Sequence, residues 1–313
     1  MDNITKLAIA QRNGLLTSEF WDNRLLEMIS YHAKDFVLQG LGQKHKLPKN
    51  SGTTTLALRR YKPLPVDLDK HLLEEGVPPK PMQPEGIKIN ATVKQYGATM
   101  KVTDIEEMVH FERLLKEYQP DLARHALEVQ ERVILGAIRA EGSDHFVGGH
   151  TSVKTMTDAD ILTLQPLREV ALNMEVNKRK GHESVGGSFI ALVGHQLMND
   201  LLDDPVLFNK SMNVVNNDSP IKNATVEQYK IFNFYVRLAP VLSEPFVNKS
   251  TPTDFNVFGA IVLGQKGYTF LDFDTVSWHS VPMTASATDP LAQTATYGYK
   301  AIFGAKVLDP MTV

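Results

Sequence analysis

The sequence predicts an α+β fold, built as two domains or one elaborated domain. Three observations carry this. β-Prone runs at Thr53–Tyr61 and Ile87–Val102 flank a connection crowded with proline and glycine. At Thr103 the hydrophobic period changes from two to three and four, and the new period holds to Glu141. Beyond Gly148 and Gly149 the texture turns to short alternating elements. A chain of 313 residues also exceeds the roughly 250 to 300 residues at which a single core stops growing.

In chain order, residues 1 to 50 carry a helical stripe of Phe20, Trp21, Leu25, Met28 and Ile29, then dissolve into Gly40, Gly42, Pro48 and Gly52. This reads either as an arm that packs elsewhere or as an N-terminal helix of the main domain. The run Thr53–Tyr61 and the period-two set Ile87, Ile89, Ala91 and Val93 read as strands. Between them Pro63, Pro65, Gly76, Pro78, Pro79, Pro81, Pro84 and Gly86 exclude a continuous helix or a central strand. Two flanks that pair would make this a long protruding β-loop, too poor in core to lie alone, so residues 63–86 are expected to rest on a neighbouring subunit.

Thr103 with Glu106 forms a capping box, and Asp104, Glu106 and Glu107 suit the positive end of a helix dipole. Ile105, Met108, Phe111, Leu115, Tyr118 and Leu122 continue the stripe, which resumes after Pro120 through Ala126, Val129, Val133 and Ala137. The reading is one long helix distorted near Pro120; the alternative is two helices joined at Gln119. Thr157 and Asp160 are expected to cap a helix with Leu164, Leu167, Ala171 and Met174 on its apolar side. Ser188–Val193 reads as a strand and His195–Leu202 as a short helix. Strand-like runs follow at Lys230–Leu238, Phe255–Leu263 and Tyr268–Phe273, the last two joined by the turn Gly264–Gly267, and Tyr297–Leu308 closes the chain. That last run is expected to pair in the domain of the long helix, with small residues beneath it.

Composition is that of an ordinary globular protein: 42% hydrophobic, 22% charged, and a formal charge of -3. A nucleic-acid binder working by bulk charge would be more basic. The absence of cysteine excludes disulfides, thiolate metal sites and a cysteine nucleophile. No apolar run approaches the roughly 18 residues of a membrane helix, and no leader-like segment opens the chain, so a soluble protein made in cytoplasm with no membrane partner is expected.

Catalytic motifs fail one by one. Gly259–Lys266 has the outline of a phosphate loop, but Gln265 stands where the lysine belongs and the flanks read strand, turn, strand, the pattern of a β-hairpin. His182-Glu183 lacks its second histidine, His145 and His150 sit in a glycine-rich turn, and His110 with Glu106 reads as solvated surface. Gly186-Gly187-Ser188-Phe189 is no nucleophile elbow. The carboxylate pairs Asp203-Asp204 and Glu74-Glu75 read as loops, and Phe232, Phe234 and Tyr235 as core. No enzyme, cofactor, catalytic residue or metal ligand is therefore assigned.

The segment Leu73-Glu74-Glu75-Gly76-Val77-Pro78-Pro79, the run Thr92–Asp104 with its Gln95-Tyr96-Gly97 core, the acidic-start helix after it, and Gly298–Lys306 resemble the major capsid proteins of tailed phages. More narrowly they resemble the N-four-like podophage family. The resemblance spans residues 50 to 308 and implies a Hong Kong 97-type fold. It implies an N-terminal arm over 1–52, an extended β-loop (E-loop) with its flanking strands over 53–102, and a peripheral domain with a spine helix over 103–149. An axial domain over 150–280 and a return to the peripheral domain over 281–313 complete it.

The resemblance further implies a homo-oligomer of hexamers and pentamers closing into an icosahedral shell around double-stranded DNA, located in the virion and assembled in host cytoplasm. Portal and scaffold proteins, and a decoration protein, are the implied partners. Intersubunit contacts are expected at Arg59, Arg60, Tyr61, Leu73, Glu74, Glu75, Pro78 and Pro79, and a hinge in the spine at Pro120. An encapsulin-type compartment shell, and a soluble hydrolase or transferase with scattered site residues, are the competing readings.

Overall fold

A computed structural model of the chain describes residues 36–48, 52–62, 64, 66, 68–72, 75, 81–109, 114–205, 222–225, 228–231, 234–247, 255–285 and 289–313. The stripe expected in the N-terminal arm, from Phe20 to Ile29, lies outside them. In chain order the elements are helix α1 (Leu38–Leu41), strands β1 (Gln43–Lys46) and β2 (Thr55–Tyr61), helix α2 (Leu68–His71), and strands β3 (Gly86–Thr92) and β4 (Lys94–Thr103). Helices α3 (Asp104–Val109), α4 (Leu114–Glu141) and α5 (Leu164–Val176), strand β5 (Phe189–Val193) and helix α6 (His195–Leu202) follow. The chain then forms β6 (Lys222–Thr225), β7 (Gln228–Ile231), β8 (Phe234–Leu238), β9 (Ile261–Leu263), β10 (Tyr268–Val281) and β11 (Thr294–Val307).

A four-stranded sheet of order β1-β10-β11-β4 carries α4 on one face. Period two decides which residues meet the helix. In β4 Tyr96, Ala98 and Met100 point inward while Gln95, Gly97, Thr99 and Lys101 are exposed; in β11 Tyr299, Ala301, Phe303 and Val307 are buried. Leu122, Ala126, Ile134 and Ile138 of α4 complete this core. Tyr96 stacks on Phe303 with ring centroids 4.6 Å apart. Burying Phe303 alone is worth about 1.5–3 kcal/mol. The closing strand thus lies in the sheet beneath the long helix, as expected, and small Ala301 leaves room for it. Gly304 is required on the other side, because a Cβ there would stand 2.3 Å from the Thr92 carbonyl oxygen.

The capping box at Thr103 forms as read. The Thr103 amide donates to Glu106 Oε2 at 2.9 Å, and the Glu106 amide donates back to Thr103 Oγ1 at 3.4 Å. Residues 110–113 lie outside the described ones, so α3 and α4 are described separately. The join at Gln119 is ruled out: α4 runs through Gln119 and Pro120 without interruption. Just before the proline Gln119 is buried, and after it Leu122, Ala123, Ala126 and Leu127 are buried. At its end the Gly142 amide donates to the Ile138 carbonyl, and Glu141 pairs with Lys306 and accepts from the Val307 amide.

The second sheet has the order β6-β7-β8-β5-β9. All five residues of β5, Phe-Ile-Ala-Leu-Val, are buried, the mark of a strand covered on both faces. Ile190 and Leu192 face the core shared with α4, whereas Phe189, Ala191 and Val193 join Leu167, Met174, Leu197 and Leu201 of α5 and α6. Gly194, between β5 and α6, admits no side chain, since a Cβ would meet the Leu242 carbonyl oxygen at 2.4 Å.

Several expectations are corrected. The stretch Ile87–Val102 divides at Val93 into strands of two different sheets. Thr157 and Asp160 close their own turn, with Thr157 N to Asp160 Oδ2 at 2.7 Å, and α5 starts only at Leu164, whose amide is capped by distant Asp204 at 2.9 Å. Lys230–Leu238 falls on two antiparallel strands, β7 ending at Ile231 and β8 beginning at Phe234. Strand structure in Phe255–Leu263 is confined to Ile261–Leu263, with Val257 bridging Val247. The turn Gly264–Gly267 is not a hairpin: β9 pairs with β5 and β10 pairs with β1 and β11, so the turn crosses between sheets. The chain re-enters the four-stranded sheet at Tyr268.

Candidate intersubunit surface

Strands β2 and β3 form a ribbon of their own, antiparallel from Thr55 opposite Thr92 to Tyr61 opposite Gly86. Its inner face carries the cross-strand pairs Leu56 with Ala91, Leu58 with Ile89 and Arg60 with Ile87. At its base Leu56, Ala91 and Val93 pack on Leu47, Leu271, Phe273 and Ile302 of the four-stranded sheet. The outer face carries Ala57 with Asn90, Arg59 with Lys88, and Tyr61 with Gly86. Arg59 and Lys88 are both exposed and directly opposed, an arrangement of like charges that destabilises an isolated ribbon.

Between Lys62 and Glu85 every described side chain is exposed. Lys62 and Glu85 close its neck by a backbone bond at 2.9 Å and an exposed ion pair at 2.9 Å. Past them Leu64, Val66, Leu68, Leu72 and Met82 are exposed, Leu68 and Leu72 by 81% and 80%. Large apolar side chains left this open are a feature of interaction surfaces.

The expected contact residues divide into three groups. Arg59 and Tyr61 lie on the exposed outer face, and Glu75 is exposed in a turn near the tip. Arg60 points inward and pairs with Asp309 of its own chain, which also binds Arg179 Nη1 at 2.8 Å through Oδ2. Leu73, Glu74, Pro78 and Pro79 lie outside the described residues. Leu64, Val66, Leu68, Leu72 and Met82 fall within the segment 63–86 expected to rest on a neighbour but were not singled out there, although their apolar character between prolines was a readable signal. Sequence reasoning missed Asp309 for want of any local signal.

Elsewhere the titratable groups do structural work. Asp160 pairs with His150 at 3.1 Å, and the Thr157 amide holds its carboxyl below the usual range. Asp204 is buried as a cap and Asp203 is exposed. His182 accepts from the Ser184 amide through Nδ1 at 3.3 Å and lies 2.9 Å from the Leu41 carbonyl through Nε2. Burial pushes the Tyr299 hydroxyl up to about 12, and it meets His125 Nδ1 at 2.8 Å. Among the described residues no three His, Cys, Asp or Glu side chains converge on a metal position. No described helix is long and apolar enough to cross a membrane. A cavity of about 560 Å³ lies between the end of α4, residues 143–162 and α5, with a mainly apolar lining that includes Phe146, Leu167, Met174 and Phe258.

No protein-family model and no curated protein matches the chain. Solved structures do. The capsid asymmetric unit of cyanophage Pam1 superposes with a TM-score of 0.63 at 13% identity, covering 88% of this chain and 87% of that one. The capsid of Ralstonia phage GP4 gives 0.62 at 10% identity, covering 89% and 87%. The chain has a phage capsid fold. The capsid of cyanophage P-SCSP1u gives 0.60 at 12% identity over 88% and 86%.

Proposed function

We propose that this chain is a major capsid protein which self-assembles as hexamers and pentamers into an icosahedral head enclosing double-stranded DNA. The observation that carries the reading is the β2–β3 ribbon, whose described apolar tip residues are all exposed, on a chain with a phage capsid fold. A ribbon of two strands is marginal alone. Resting on a neighbour covers Leu64, Val66, Leu68, Leu72 and Met82. The opposed cations Arg59 and Lys88 then serve as a seat for an acidic surface of that neighbour. In this reading the ribbon is the E-loop of a Hong Kong 97-type subunit, α4 is the spine and the five-stranded sheet is the axial domain, as in N-four-like podophages.

Portal and scaffold proteins are its assembly partners, with a decoration protein on the finished shell, and the virion is its final location after assembly in host cytoplasm. Pro120 is the point at which the spine changes curvature between precursor and DNA-filled shells. Electron microscopy of the expressed chain, alone and with its scaffold, tests the assembly: closed shells are expected, and a stable monomer under both conditions refutes it. Helix axes on either side of Pro120 that keep one angle in both shell states refute the hinge.

A further inference from the structure

Two groups of exposed large apolar side chains lie at opposite ends of β4. One is on the ribbon, which joins the first residue of β4 through Val93. The other is at the strand's last residue. There Thr103 of β4 stands opposite Thr294 of β11, and Val281 at the end of β10 stands opposite Thr296, so three strands stop together. Helix α3 begins on that edge, and its Asp104 amide donates to the Gln293 carbonyl at 2.9 Å, which ties the helix to the loop between β10 and β11. Ile105 and Met108 of α3, Leu291 of the loop and Val281 are all exposed, Met108 by 82% and Leu291 by 77%. Ile105 and Met108 are three apart on one helix and so share a side of it.

The two ends differ in charge. On the outer face of the ribbon Arg59 is followed by exposed Tyr61, with Lys88 opposite. Helix α3 carries Asp104 and Glu106 among its apolar residues, and Lys101, the cation beside it on β4, is matched by Asp289 of the loop. A cationic, aromatic surface is thus complementary to an acidic, apolar one, and a methionine thioether suits a tyrosine ring. Other exposed apolar groups match the ribbon less well. The outer side of α5, with Leu172 and Val176, mixes Glu169 and Glu175 with Arg168 and Lys178, and the acidic end of α6, with Asp200 and Asp203, carries Leu202 alone. The ten residues of β4, about 30 Å of extended strand, hold the two ends of one chain apart. A second copy brings them together, and because the surfaces are unlike, the contact repeats head to tail, the kind that closes into a ring.

We propose that α3 and the adjoining loop at Leu291 receive the ribbon of the next copy, with Arg59 and Lys88 facing Asp104 and Glu106 and with Tyr61 packed on Ile105 and Met108. This rests on the reading of the ribbon as an assembly element and names the surface that it meets.

The chain has no cysteine, so introduced thiols report only their own neighbours. Tyr61→Cys and Met108→Cys are prepared as separate full-length chains, mixed, assembled with the scaffold and oxidised mildly; a disulfide forms where Cβ atoms come to about 4 Å. The mixture is expected to give linked dimers about tenfold or more faster than either variant alone, since only the mixture pairs the two ends. Leu291→Cys with Tyr61→Cys is the second pair, and a link in either supports the site. Lys88→Cys, on the same face of the ribbon, replaces Tyr61→Cys should that variant not assemble. Closed shells in which neither pair links overturn the landing site and leave the ribbon's assembly role standing. A faster link from Tyr61→Cys to Asp203→Cys puts the ribbon on α6 and overturns it as well. Wild type that stays monomeric with its scaffold overturns the assembly reading, and this inference with it.

Discussion

Asp309→Ala is expected to detach the ribbon from the body of the subunit. The Asp309 side chain is 9% exposed and lies between two guanidinium groups, Arg60 from β2 and Arg179 from the segment before β5. Its Oδ1 also accepts the Met311 amide at 3.3 Å. Removing one partner of a fully buried ion pair costs about 3–5 kcal/mol, because the other charge is left unpaired. Arg60 and Arg179 are 31% and 24% exposed, so water takes over part of that loss. About 2–3 kcal/mol remains. The assay is urea unfolding of wild type, Asp309→Ala, Arg60→Met and the double variant. Arg60→Met keeps the apolar stem over Ile87 and removes only the charge. The double variant is expected to lose less than the sum of the singles by about 1 kcal/mol or more, the signature of direct contact. Exchange of the Thr55–Tyr61 amides is expected to accelerate in every variant that lacks Asp309. Singles that add to within about 0.3 kcal/mol, with unchanged exchange in β2, refute the clamp.

Four further outcomes follow from the same geometry. Replacing residues 63–85 by a short Gly-Ser turn is expected to leave unfolding by urea nearly unchanged and to abolish stable shells, and equally heat-stable particles would count against the ribbon as an assembly element. Phe303→Ala is expected to cost about 3–5 kcal/mol in the same unfolding assay, since it empties the centre of the core beneath α4 and removes the stack with Tyr96. Because α4 is continuous through Pro120, Pro120→Ala is expected to raise stability by about 1–3 kcal/mol, and shells that still expand at the normal rate would sink the hinge. Asp289 accepts from the Thr294 hydroxyl and from the Gln293 and Thr294 amides, which together lower its pKa; its contribution is present above the ordinary 3.8 and lost as pH falls through the lowered value, so the Gln293 and Thr294 amides should lose exchange protection only in acid.

What the sequence by itself determined is everything that rests on neighbours within a few residues. The Thr103–Glu106 box, the stripe Leu122 to Ile138, the fully apolar Phe189–Val193 and the helix His195–Leu202 are local patterns, and each forms where it was read. The alternation on either side of the proline-rich segment likewise announced the β2–β3 pairing. Tertiary structure alone decided which strands become partners. β9 and β10 are separated by one turn yet belong to different sheets, because Ile261 and Leu263 complete the side of β5 while Tyr268 and Phe270 must cover α4. It alone decided that Asp204 caps α5 from another helix's end, that Arg60 turns inward to Asp309, and that Glu131 meets α1. Those contacts join residues 40, 249 and 92 positions apart, over which periodicity carries no signal; they arise only when burial of apolar faces brings polar groups together and each must find a partner out of water.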